Sequence, residues 1–179
     1  MVEVQVLGVV LEETTKQPVV VLRAVEGDET LPIQIGFAEA SAIAAILEKV
    51  DSPRPMTHDL LATLLDTLGA TVAQIEISDL INGTFYGVLK LCRGRRRWSI
   101  DCRPSDAIAL ALRMRASIFV ADEVFRKLDP EDLTEASRRR WMGFLDSLDT
   151  SLSLESDGEG NEGGDRGDDD DNDEDNTVN

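Results

Sequence analysis

Histidine occurs once and cysteine twice in this 179-residue chain, and that scarcity removes several chemistries at once. Cys92 and Cys102 are too few for a disulfide framework or a cysteine-built zinc site, and His58 alone cannot form the histidine clusters of a metal centre. Basic charge is also short, with 18 Lys and Arg against 35 Asp and Glu, a net charge of −17. A uniformly basic nucleic-acid binder is excluded, so any grip on a polyanion has to come from a local patch. Long apolar runs are missing as well. Glu, Gln, Lys or Arg interrupts every hydrophobic stretch before the roughly 20 residues that span a bilayer, and Val2-Glu3-Val4-Gln5-Val6 opens as an alternating strand, not as a secretory signal. These absences predict a cytoplasmic protein with no membrane partner, no structural zinc and no organic cofactor.

The negative charge is unevenly spread. Residues 155–179 hold 12 acids and one base, Arg166, which leaves 23 acids and 17 bases, or −6, on residues 1–154. The same segment has a single aliphatic residue, Val178, and no aromatic, too little apolar surface to offset the entropy of ordering, so the composition predicts a disordered acidic tail over 155–179.

Before that point the chain is strongly patterned. Period-two alternation predicts strands near 2–11, 18–25, 31–35, 71–78, 85–92 and 98–102, and a short strand at 117–120. Between them lie helical stripes: Ala40, Ile43, Ala44, Ile46 and Leu47 form one, and Leu60, Leu61, Leu64, Leu65 and Leu68 form a second that Gly69 closes. A third runs through Ile108 to Leu112, and Leu133, Trp141, Phe144, Leu145 and Leu148 mark a C-terminal helix within 131–154. The fold class is α+β, an antiparallel sheet with packed helices. An offset of 67 positions aligns Val21-Leu22-Arg23 with Val88-Leu89-Lys90, Ile33 with Ile100, and Glu39-Ala40 with Asp106-Ala107 without gaps, which points to an internal duplication of a hairpin-strand-helix unit. It predicts two similar strand-to-helix corners, one at Glu39 and one at Asp106.

Three segments carry chemistry. Arg54-Pro55-Met56-Thr57-His58-Asp59 places an imidazole, a carboxylate and an arginine at a helix start. Capping accounts for the residue types, with Thr57 as N-cap and Asp59 complementing the helix dipole; the same groups can also hold a phosphate and move a proton. Arg103-Pro104-Ser105-Asp106 begins another helix with Pro104 at its first position, and its arginine beside free helix N–H groups suits a bidentate grip on phosphate. Arg93-Gly94-Arg95-Arg96-Arg97-Trp98, at a predicted hairpin tip, offers cations for nucleic-acid phosphates and an indole to stack a base, although the strand parity of Trp98 with Ile100 and Cys102 argues for a core position.

Leu31-Pro32-Ile33-Gln34-Ile35-Gly36 with Glu39-Ala40, Arg54 to Leu60, Asn82-Gly83-Thr84-Phe85-Tyr86, and Arg103 to Leu110 occur in an order and at spacings that resemble the bifunctional nuclease domain family over about residues 1–130. The resemblance implies an α+β domain that self-associates into a homo-oligomer and, as in plant relatives, cleaves RNA and DNA. It puts the polar signature on Glu39, Arg54, Thr57, His58, Asp59, Arg103, Ser105 and Asp106, with departures at Asn82, Gly87 and Cys102. The expected roles are Arg54, Arg103, Thr57 and Ser105 on phosphate, His58 as general acid or base, and Asp59, Asp106 and Glu39 as orienting groups or ligands for Mg2+ or another divalent cation. Arg54, His58 and Asp59 are expected to converge with Arg103 or Asp106 on one solvent-accessible cleft, within a chain or across a subunit interface. Arg93, Arg95, Arg96 and Arg97 would bind the nucleic acid further out. The competing reading is a non-catalytic oligomeric module for nucleic-acid binding or regulation, in which the same residues are caps and salt bridges.

Overall fold

A computed structural model describes residues 1–12 and 15–128. The expected C-terminal helix within 131–154 and the acidic tail at 155–179 lie outside the described residues. The chain runs β1 (Val2–Leu11), β2 (Pro18–Ala24), β3 (Thr30–Gln34), α1 (Phe37–Leu47), α2 (Thr57–Thr67), β4 (Thr71–Ile81), β5 (Thr84–Arg93), β6 (Arg96–Cys102), α3 (Pro104–Met114), β7 (Ser117–Val120) and α4 (Asp122–Lys127). The seven strands form one sheet in the order β3-β2-β1-β7-β4-β5-β6. Two three-stranded meanders are thus joined through the short β7. β7 is antiparallel to β1 but parallel to β4, so the sheet is mixed where the sequence predicts an antiparallel one. The cause is topological: both meanders put their first strand inward and run in opposite directions, and a strand between them can oppose only one.

Apolar side chains on one face of the sheet pack beneath α1 and α3, with Val20, Leu22, Leu31, Ile33, Ile43, Ile75, Ile77, Ile108 and Val120 at its centre. The two corners are built alike. Gly36 is the N-cap of α1 and Arg103 the N-cap of α3, both in extended backbone, and each begins an eleven-residue helix. The match of element order and length at the 67-residue offset does not in itself show a duplication. Pro104 takes the first turn of α3, where its missing N–H costs nothing. Gly87 lies behind this corner in β5. A Cβ there would stand 3.0 Å from the Cys102 carbonyl oxygen and 3.1 Å from the Pro104 nitrogen, so the glycine lets the start of α3 settle onto the sheet.

Two burial expectations are overturned. Leu60, Leu61, Leu64 and Leu68 are exposed, and His58 is the sole buried residue of α2. The helix lies on α3, not on the sheet, and inserts Ala62 and Leu65 towards the core while its other leucines face outward. Trp98 and Ile100 do share a sheet face with the core, since they pair with Leu91 and Leu89, but β6 is the edge strand and the helical layer does not cover it. Both side chains are exposed. Among the described residues, no helix is long and apolar enough to cross a membrane.

Candidate functional site

The starts of α2 and α3 meet through their first turns. Met56, not Thr57, is the N-cap of α2, so Thr57 becomes the first helical residue, exposed to solvent. This shift puts His58 and Asp59 at the second and third positions. Asp59 folds back to accept the Met56 N–H at 2.7 Å, and His58 turns inward. His58 Nε2 lies 3.3 Å from Asp106 Oδ1 in the first turn of α3. The carboxylate can only accept, so Nε2 donates, and in the neutral imidazole the lone pair then lies on Nδ1.

Asp106 is also gripped by its neighbour. Arg103 Nε donates to Asp106 Oδ2 at 2.7 Å and Arg103 Nη2 to Asp106 Oδ1 at 3.0 Å, while Nη2 reaches Glu39 Oε1 of α1 at 2.7 Å. A continuous chain, His58–Asp106–Arg103–Glu39, therefore ties three helix N-termini together. Burial alone would push the Asp106 carboxyl up, but the hydrogen bonds and charge of Arg103, helped by His58, outweigh it and hold the group below the ordinary 3.8. The two carboxylates, Asp106 foremost, push the Arg103 guanidinium further up. Asp106 is thus an ionised acceptor at neutral pH, suited to orienting an imidazole and unsuited to donating a proton.

Beside this chain opens a cleft of about 360 Å³. Gln34, Ile35 and Gly36 form one wall, Gly83, Thr84 and Phe85 a second, and Arg103, Pro104 and Ser105 the floor. The second wall is the β4–β5 hairpin, closed by two residues with positive φ, Asn82 at 51° and Gly83 at 77°, the asparagine-glycine pair that tight hairpins favour. Ser105 is 7% exposed and lines this cleft. The N–H groups of Ser105 and Asp106, in the first turn of α3, have no carbonyl within the helix to bond. A serine, the first-turn N–H groups of a helix and a guanidinium thus border one small space.

Arg113, which sequence reasoning passed over, explains why α2 holds its place. Its side chain is 5% exposed and donates from Nε to Asp59 Oδ1 at 2.5 Å and from Nη1 to the carbonyls of Ala42 at 3.1 Å and Ala109 at 2.9 Å. The Arg113 hydrogen bond is the main reason that the Asp59 carboxyl titrates below 3.8. The signal was an arginine on the apolar stripe of α3, four residues after Ala109, where a charge needs a buried partner. The two arginine pairs differ sharply in worth. Arg103 is 66% exposed, so its ion pairs are screened and contribute about 0–1 kcal/mol, whereas in Arg113–Asp59 the arginine is 5% and the carboxylate 32% exposed, and breaking the pair costs up to about 3 kcal/mol, the lower end for a fully buried pair. Arg103 is free to re-aim at a ligand; Arg113 is locked in the fold.

The remaining sequence candidates fall elsewhere. Arg54 is exposed in the loop before α2 and makes no ion pair among the described residues. Asp59 is brought to Arg113, not into the cleft, so it does not join Asp106 as a paired ligand. Among the described residues no group of three or more His, Cys, Asp or Glu side chains is placed to hold a metal ion. Burial pushes the Cys102 thiol up, which keeps it protonated and inert. Arg93, Arg95, Arg96 and Arg97 surround the β5–β6 turn, at the other end of β6 from Arg103.

The sequence profile of the bifunctional nuclease domain matches residues 20–131. The chain belongs to this family. The uncharacterized protein Rv1829 of Mycobacterium tuberculosis is 39% identical over 157 residues, covering 82% of this chain and 94% of the relative. Bifunctional nuclease 2 of Oryza sativa subsp. japonica is 32% identical over 114 residues, 62% of this chain and 35% of the plant protein. Bifunctional nuclease 1 of Arabidopsis thaliana is 25% identical over 114 residues, again 62% of this chain and 35% of the relative. The matched region of the family profile contains the whole His58–Asp106–Arg103–Glu39 chain and every wall of the cleft.

Proposed function

We propose that this protein hydrolyses phosphodiester bonds in RNA or DNA, with the scissile phosphate in the cleft at the start of α3. The observation that carries the reading is the cleft itself, in which Ser105 lies beside Arg103 and the first turn of the helix, whose N–H groups have no partner within it. Such a concentration of donors is matched to an anion once Arg103 turns from its exposed carboxylate partners. Arg103 gives up its screened contacts and grips two phosphate oxygens. Ser105 and the first N–H groups of α3 share one of these two non-bridging oxygens and stabilise the charge that builds on it in the transition state. Asp106 keeps the His58 imidazole oriented through Nε2, and Nδ1 accepts a proton from the attacking hydroxyl or water and returns it to the leaving oxygen. Glu39 steadies Arg103 from the other side. Arg93, Arg95 and Arg96 hold flanking phosphates.

Among the described residues the carboxylates do not form a cation cage, and Asp59 and Asp106 are taken by different arginines. A divalent cation such as Mg2+ accordingly serves as a counter-ion of the substrate, and no step is drawn through it. The outward leucines of α2 support a homo-oligomer in which a second copy covers them. They also favour the second reading, an oligomeric binding module without catalysis.

The two readings separate on Arg103→Met assayed against single-stranded RNA and DNA, in EDTA and in magnesium. Removing a charge-assisted contact to phosphate is worth about 1.5–3 kcal/mol, so kcat/KM should fall about 10- to 100-fold, and EDTA should slow wild-type cleavage without abolishing it. Equal cleavage by variant and wild type would assign the activity to a contaminant and leave the binding module.

A further inference from the structure

The cleft at α3 accounts for a phosphate but not for the opposite end of β6. There Arg93, Gly94, Arg95, Arg96 and Trp98 line a concavity of about 520 Å³. Trp98 is 41% exposed, on the face of the sheet where its cross-strand neighbour Leu91 is buried in the core. Arg97 spends its guanidinium on the carbonyls of Gly94 and Arg96, at 2.8 and 3.1 Å, whereas Arg93, Arg95 and Arg96 make no ion pair among the described residues. In a body with excess acid, three unspent arginines around a bare indole form a site for something both anionic and planar.

We propose that Trp98 is a stacking platform for one unpaired base, and that β6 is a track for single-stranded nucleic acid between this platform and the α3 cleft. The proposal rests on the phosphodiester reading above and names its substrate class. Trp98 stands five residues before Arg103 along extended backbone, a span of roughly 16 Å, which a few nucleotides of single strand cover. Ile100 lies between them, also exposed and on the same sheet face as Trp98, and gives an apolar surface to an intervening base. Arg93, Arg95 and Arg96 neutralise the phosphates flanking the stacked base. A duplex has both faces of each base already stacked and offers Trp98 nothing, so the device selects single strands.

The test follows Trp98 directly. In the full chain carrying Trp141→Phe, Trp98 is the remaining indole. Its fluorescence is titrated with a phosphorothioate oligonucleotide of about 20 nucleotides, single-stranded or annealed to its complement, in EDTA. The single strand should quench the indole, and the duplex should not. Trp98→Leu should weaken single-strand binding about 5- to 100-fold, measured by anisotropy of a labelled strand, while Trp98→Phe retains most of it. Absence of quenching, equal loss for Leu and Phe, or equal affinity for duplex and single strand would overturn the platform. So would a change in sedimentation of Trp98→Leu without loss of binding, which would place Trp98 against a second copy. Quenching does not require turnover. A chain that binds in this way but fails to cleave refutes the phosphodiester reading alone, and one that cleaves without quenching refutes the platform alone.

Discussion

Asp59→Ala should destabilise the protein by about 3 kcal/mol at neutral pH, a large part of the roughly 5–15 kcal/mol that holds a domain of this size together. The substitution leaves the Arg113 guanidinium buried among the carbonyls of Ala42 and Ala109 with no counter-charge, and it removes the acceptor that caps the Met56 N–H. Asp59→Leu combined with Arg113→Met should recover most of the loss, because a buried ion pair can be replaced by apolar side chains at little cost. The pH dependence has a definite sign. The Asp59 carboxyl is depressed in the fold, so its contribution is complete above the unfolded value of 3.8 and is lost as pH falls through the lower folded value. Chemical denaturation of wild type and Asp59→Ala at neutral pH and near pH 2 is the check. The gap between them should narrow in acid. A pH-independent gap, or a double variant no better than the single one, would remove Arg113–Asp59 from its place as the anchor of α2.

His58→Ala should lower cleavage about 10²- to 10⁴-fold with the fold intact, the usual contribution of a positioned general base. Asp106→Asn should cost less than His58→Ala but more than a distant surface change. Its amide can still bond Nε2, but it offers either tautomer a partner and no longer neutralises Arg103. Loss in both variants is expected in kcat, since neither side chain faces the bulk of a long substrate. A His58→Ala protein as active as wild type, with unchanged circular dichroism, would exclude the imidazole from the chemistry.

The periodic parts of this fold were legible because burial is periodic. All seven strands and the first three helices follow from alternation and from stripes of apolar residues, and Pro104 and Gly69 mark a helix start and a helix end where the backbone requires them. Periodicity tells which side of an element is apolar but not what covers it. Hence the leucines of α2 read as core although α2 lies outside α3, and Trp98 reads as core although it points to the core side of an edge strand beyond the helices. The parallel β4–β7 pair was hidden for a related reason, since four residues of β7 carry no trace of their neighbours. α4 is six residues long, too short to show a stripe. At the site, His58, Glu39, Arg103, Ser105 and Asp106 were visible as polar residues at helix starts. Arg113 was not, because its role depends on three separate helices meeting at one guanidinium.

The central claim, that a phosphodiester sits at the start of α3, is tested most directly without turnover. Amide NMR spectra of the protein titrated with a phosphorothioate dinucleotide should show the Ser105 and Asp106 N–H signals moving first and furthest, with the Arg103 side chain following and the shifts lost in Arg103→Met. Dinucleotide-induced shifts confined to other surfaces, with Ser105 and Asp106 unmoved at saturation, would contradict the account.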